Sequence, residues 1–137
     1  MISCLVKTCM IVYPIFMILI SFRSVAEPCP AGNFDDFSRL FIKDVDIQSK
    51  YSKGVVDISY HQVLDGDVEE IKKSRILRLS DFPIVSNSGV DGVREIEIDN
   101  KNLKVFVKGR DSGYQVSLSF SKTERCWHLV KLTDYSI

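Results

Sequence analysis

Two rhythms of apolar and polar residues divide this chain. Over NFDDFSRLFIKDV, Phe34, Phe37, Phe41 and Val45 recur at helical spacing, with Leu40 beside them. Asn33 stands where an N-cap side chain accepts a backbone N–H, and Asp35 and Asp36 fall where the helix dipole favours negative charge. The pattern predicts a helix over about 34–44. Its stripe is aromatic, so it calls for a broad apolar surface, and we read it as core packing, not as a cofactor box.

The period then changes from 3.6 to 2. QSKYSKG, residues 48–54, is a polar connection holding Tyr51. In VVDISYHQVL, Val56, Ile58 and Tyr60 alternate with Asp57, Ser59 and His61, which is the pattern of a strand. Asp65-Gly66 is a strong turn signal. VEEIKKSRILRLSDFP carries two signals at once. Glu69 to Lys73 are helix formers, whereas Ile71, Leu77 and Leu79 share a period-2 face with Lys73 and Arg75. A second strand after the turn is the expectation, with helix the alternative over residues 68–80. Phe82-Pro83 ends it, and SNSGVDG, residues 86–92, is a loop by composition.

The last third reads as four short strands in a meander. REIEIDN and LKVFVKG flank a turn at Asn100–Asn102, YQVSLSFS follows Asp111-Ser112-Gly113, and CWHLVKLTD comes last. Tyr114, Val116, Leu118 and Phe120 share one face, and Gln115, Ser117, Ser119 and Ser121 the other. One face is therefore buried and one wetter, as antiparallel sheets allow. The expected fold class is α+β: an N-terminal helix packed on a curved antiparallel sheet.

Composition adds a destination. The first 26 residues hold no acidic residue; Lys7 precedes an apolar run from Ile11 to Ile20, and Ser24-Val25-Ala26 follows. That order is a secretory signal, with cleavage expected after Ala26. The apolar run is short of the roughly 20 residues that span a bilayer. An uncleaved N-terminal anchor is the alternative. Cleavage leaves a single domain, residues 27–137, exported to the periplasm or beyond, meeting the membrane only in transit. It removes Lys7 and Arg23 from 18 basic residues, so 16 face 18 acidic ones and net charge moves from 0 to −2. No basic stripe exists to bind nucleic acid.

Cleavage also changes the cysteine count. Cys4 and Cys9 leave with the signal, and Cys29 and Cys126 remain where oxidation is permitted. A disulfide between them is expected, with two free thiols or an intermolecular pair as alternatives. Cys126-Trp127-His128 invites an enzyme reading, because Cys and His two apart in a strand point the same way. A nucleophilic thiolate needs an oriented base, and a disulfide removes the thiol altogether. The four possible zinc ligands, Cys29, Cys126, His61 and His128, have no metal-site spacing, so no metal or other cofactor is expected. A carboxylate–tyrosine pocket is a second idea. Tyr60, Tyr114, Trp127 and Asp134 are the candidate pocket or binding residues, whereas Asp57 falls on the opposite strand face from Tyr60.

One resemblance gathers these features. The aromatic helix, followed by Asp44, Ile47-Gln48 and Tyr51, resembles the opening of small secreted bacterial domains of unknown function in the nuclear-transport-factor-2-like, or cystatin-like cone, superfamily. The last strand of such domains reads Trp-x-Leu-x-x-Ile-x-Asp-x-Ser; here it is Trp127, Leu129, Leu132, Asp134 and Ser136. The similarity spans most of residues 33–137 and departs over 66–92, where no helix pair is evident. It implies a conical half-barrel able to enclose a pocket. The superfamily includes isomerases, dehydratases and hydrolases beside non-catalytic binding modules, so fold alone does not assign function. None of its catalytic constellations maps onto this chain, which leaves the catalytic set empty. The expectation is a non-enzymatic binding domain for an envelope or secreted protein or a small ligand. The alternatives are an enzyme using the cone pocket and an immunity-type protein binding a toxin.

Overall fold

The computed structural model describes residues 27–85, 94–110 and 113–136. The signal segment with its cleavage after Ala26, the loop 86–92 and the pair Asp111-Ser112 lie outside these residues. Two helices, α1 (Phe34–Lys43) and α2 (Val45–Lys50), precede six strands: β1 (Val55–Leu64), β2 (Asp67–Ile76), β3 (Arg94–Asp99), β4 (Lys104–Gly109), β5 (Gln115–Lys122) and β6 (Trp127–Asp134). The strands form one sheet in the order β2-β1-β6-β5-β4-β3.

Local chemistry sets the helix boundaries. The Asn33 side chain accepts the Asp36 N–H at 2.9 Å and starts α1 as expected. Asp44 then ends one helix and begins the next. Its backbone N–H bonds the Leu40 carbonyl, and its carboxylate accepts the N–H groups of Asp46 and Ile47 at 2.8 and 3.2 Å. The segment expected as a polar connection thus starts inside a short helix. Within α2, Gln48 is fully buried. Its Nε2 donates to the carbonyls of Val85 (3.1 Å) and Ile42 (3.4 Å), and its Oε1 accepts the Ile84 N–H at 2.7 Å. A buried amide is tolerated when its donors and acceptor are matched.

The Asp-Gly turn closes the β1–β2 hairpin. Asp65 and Gly66 both have positive φ, 51° and 93°, as a two-residue turn of this hand requires. The hairpin is in register from Leu64↔Asp67 to Val55↔Ile76. The ambiguous segment is therefore a strand up to Ile76, and Leu79 lies beyond it in a 3-10 turn, Leu79–Asp81. The four-strand meander is antiparallel throughout. A parallel pairing of β1 with β6, from Asp57↔Lys131 to Tyr60↔Asp134, joins hairpin to meander and makes the sheet mixed.

Curvature has a visible origin on β6. Ser119 pairs with Lys131 but Phe120 pairs with Leu129, which leaves Val130 as an extra residue. Such a bulge bends its strand and keeps alternation correct on both sides. Trp127 and Leu129 before it, and Leu132 after it, thereby serve one face. That inner face carries Val56, Val105, Val107, Val116, Leu118 and Phe120, all buried. The aromatic row of α1 covers it: Phe41 and Phe37 meet Phe120 edge-on at 5.0 and 5.7 Å, and Phe34 and Phe37 lie 5.8 and 5.4 Å from Trp127. Two links anchor the helical layer to β6. The Leu129 N–H bonds the Tyr51 carbonyl at 2.8 Å, and Cys29 is disulfide-bonded to Cys126 across 97 residues.

Candidate functional site

Strand register decides which candidate residues meet. Tyr60 and Asp134 are direct partners across β1 and β6, and Asp134 is also the partner of Val116 on β5. Tyr114 immediately precedes β5, and its carbonyl accepts the Gly109 N–H at 2.8 Å. Asp134 ends β6 with Tyr114 beside the start of β5, whereas Tyr60 is mid-strand in β1, between Asp134 and Ile71. Trp127 starts β6, seven residues from Asp134, which is roughly 20 Å along a strand. It is buried among Phe34, Phe37 and the Lys122 ammonium, so its place is the core. The four candidates do not form one site.

Asp134 and Tyr60 have local occupations. The Asp134 carboxylate accepts the Ser136 N–H at 2.9 Å, and the Ser136 hydroxyl accepts the Gln115 N–H at 3.1 Å. Both side chains thus satisfy backbone N–H groups at the end of β6. The Lys73 ammonium sits 5.4 Å from the Tyr60 ring centre. Asp57 points to the other face, where it accepts the Ser74 hydroxyl at 2.6 Å, so it cannot act with Tyr60.

The outer face is more polar but partly closed. Ser59, Ser117 and Thr133 are buried there, and the Ser59 hydroxyl donates to that of Thr133 at 3.1 Å. Beside them a groove of about 330 Å³ runs over β1, β2 and β6, bounded by Asp57, Ser59, Lys72, Ser74 and Lys131. Sequence reasoning did not find it. It depends on the parallel β1–β6 pairing, which brings Lys131 opposite Asp57 and has no local signal. Lys72 bonds Glu70 at 3.0 Å, and this ammonium holds the Glu70 carboxyl below its ordinary range.

A shallower depression of about 500 Å³ lies by the disulfide, with Tyr51, Cys126 and His128 on its wall. His128 packs against Tyr51 at 5.7 Å. Cys126 has no thiol to activate, because its sulfur is bonded to Cys29. At the rim the Glu27 carboxylate bonds Lys50 and raises the pKa of that ammonium. Among the described residues no three of His, Cys, Asp or Glu gather to hold a metal ion. Among them, too, no helix is long and apolar enough to cross a membrane.

Fold and geometry together define an α+β cone: two helices over a curved, open, six-stranded mixed sheet. No protein-family model and no curated protein matches the chain. A solved structure does: an NTF2-like protein from Bacteroides fragilis NCTC 9343 superposes with a TM-score of 0.50 at 21% identity, over 81% of this chain and 50% of that one. The chain spans about half the length of that protein. The likeness establishes the fold, which is NTF2-like.

Proposed function

We propose that this chain is an exported domain that works by binding another protein outside the cytoplasm, without catalysis. The observation behind this reading is the filled inner face. In a cone, that face is where a small-molecule pocket would open. Here Phe37 and Phe41 are 0% exposed and meet Phe120 and Trp127 across the space between helix and sheet. The ionisable candidates Tyr60 and Asp134 are cross-strand neighbours, each with a local contact of its own. Apolar side chains are instead displayed outside: Val63 and its cross-strand partner Val68 at the hairpin tip are 57% and 55% exposed. Exposed apolar clusters rimmed by charge favour protein contact.

The test is affinity capture from envelope and culture fractions with the wild type and with V63K, which changes only the tip. A protein retained by the wild type and lost with V63K supports the reading. A small molecule carried through native mass spectrometry, with no protein retained, overturns it. N-terminal sequencing of the exported protein should begin at Glu27; a start at Met1 would reject cleavage.

A further inference from the structure

The sheet has two open edges among the described residues, β2 and β3. They differ in charge pattern. β3 carries Glu95, Glu97 and Asp99 at alternate positions, so two copies paired antiparallel would set acid against acid. β2 is the reverse. Its sequence, DVEEIKKSRI, is acidic before Ile71 and basic after it.

Consider two β2 strands running antiparallel about a two-fold axis at Ile71. Residues whose numbers stand equally far from 71 then face each other. On the inner-face side, Asp67 meets Arg75, Glu69 meets Lys73, and Ile71 meets its own copy. On the outer-face side, Glu70 meets Lys72 and Val68 meets Ser74. Every charged residue from 67 to 75 faces an opposite charge. The same register brings Val68 of one copy diagonal to Ile76 of the other, within side-chain reach. These residues are 55% and 62% exposed in the single chain. All of β2 is exposed except Ile71, which is half-buried; β1 takes one side of its backbone, so the N–H and C=O groups of alternate residues along the outer side are open to a partner.

Charged side chains on an edge strand ordinarily discourage pairing. Here their order rewards it, provided that the partner is a second copy in this one register. We propose that the protein forms a symmetric dimer through antiparallel β2–β2 pairing centred on Ile71, giving one continuous twelve-stranded sheet. The interface is isologous and closes on itself. Arg75 is already held by Asp81, at 2.5 and 2.9 Å, so the four central pairs between residues 69, 70, 72 and 73 carry the specificity. Lys72 keeps its own Glu70 and gains that of the other copy. This inference does not depend on the binding role proposed above.

The experiment is sedimentation equilibrium on the protein expressed from its full sequence, with circular dichroism to confirm that each variant is folded. The wild type should be dimeric by about 100 µM, as a small interface permits, and its dissociation constant should rise at least about tenfold between low and high salt. E69K/E70K and K72E/K73E each put like charges across the axis and should be monomeric alone. Mixed in equal amounts they should form a one-to-one heterodimer, because every reversed charge then meets its opposite. The quadruple exchange E69K/E70K/K72E/K73E should restore the homodimer. A wild type that stays monomeric, charge variants that remain dimeric alone, or variants that do not recombine would each overturn the proposal. Growth to open oligomers would do so too, because it would indicate β2–β3 pairing.

Discussion

Gln48 and Val85, 37 residues apart in sequence, are joined by a buried hydrogen bond of 3.1 Å from the Gln48 amide to the Val85 carbonyl. The same side chain accepts the Ile84 N–H at 2.7 Å. One residue of a six-residue helix thus satisfies the backbone of the segment that follows β2. Replacing it with Leu keeps volume and strands both backbone groups. Each buried unsatisfied group costs about 1–3 kcal/mol, so Gln48→Leu should lose roughly 2–6 kcal/mol in urea unfolding. A loss under about 0.5 kcal/mol would mean that this segment is not held as described.

Trp127 offers a contrast between size and polarity. Its ring packs against Phe34 and Phe37, but its Nε1–H has no partner among the described residues. Trp127→Ala should cost about 3–5 kcal/mol through the cavity it leaves. Trp127→Phe should cost far less, because it retains an aromatic ring and removes a buried donor that no described residue accepts. Thermal melts of the two variants test the ordering, and equal losses would contradict it.

The disulfide ties the start of the described chain to Cys126, the residue just before the last strand. For a loop of this length the chain-entropy model gives up to about 4.7 kcal/mol. C29S/C126S should therefore melt well below the wild type, and reductant should lower the wild type to a similar value. Intact-mass analysis after alkylation should find no free thiol at Cys29 or Cys126. Two alkylated sites there would contradict the bond.

Acid stability follows from three carboxylates. The Arg75 guanidinium, then the Arg78 N–H, lower Asp81 to about 2. Asn102 lowers Asp99 through its side-chain and backbone donors, and Lys72 lowers Glu70. Each folded-state pKa lies below the unfolded one, so each contributes stability above the unfolded value and loses it as pH falls through the folded value. For Asp81 that window runs from 3.8 down to about 2. Melting temperature should fall across it in the wild type and fall less steeply in Asp81→Asn. Glu70 is exposed and Asp81 and Asp99 are only partly buried, so the effect is modest and weakens with salt.

Much of this architecture was legible because its causes are local. Asn33, the aromatic spacing and the acidic first turn define α1 within a dozen residues. Asp65-Gly66 specifies the hairpin, and the final strands alternate cleanly. The uncertain stretch from Glu69 to Lys73 became a strand because a ten-residue ladder with β1 outweighs its helix-forming residues, a tertiary effect on propensity. What was hidden is non-local. The parallel contact of β1 with β6 joins strands some 70 residues apart, and it creates both the outer groove and the Tyr60–Asp134 pairing. Gln48 looked like linker because its partners lie beyond β2. An Asp at 44 followed by VDIQSK was the available signal for α2, since Asp is a good N-cap. Alternation put Trp127 on one face with Leu129, either sealing the sheet against a helix or lining a ligand surface, and its contacts with Phe34 and Phe37 decide for the packed core.

The aromatic row of α1 fills the inner face of the cone. Trp127 is the only tryptophan in the chain, so its fluorescence reports on that space without ambiguity. Acrylamide quenching of the folded protein is the direct measurement. A blue-shifted emission, weakly quenched until the protein is unfolded in urea, is the expected result. Emission at the wavelength of free tryptophan with ready quenching in the folded state would show an open, hydrated cone and contradict the account.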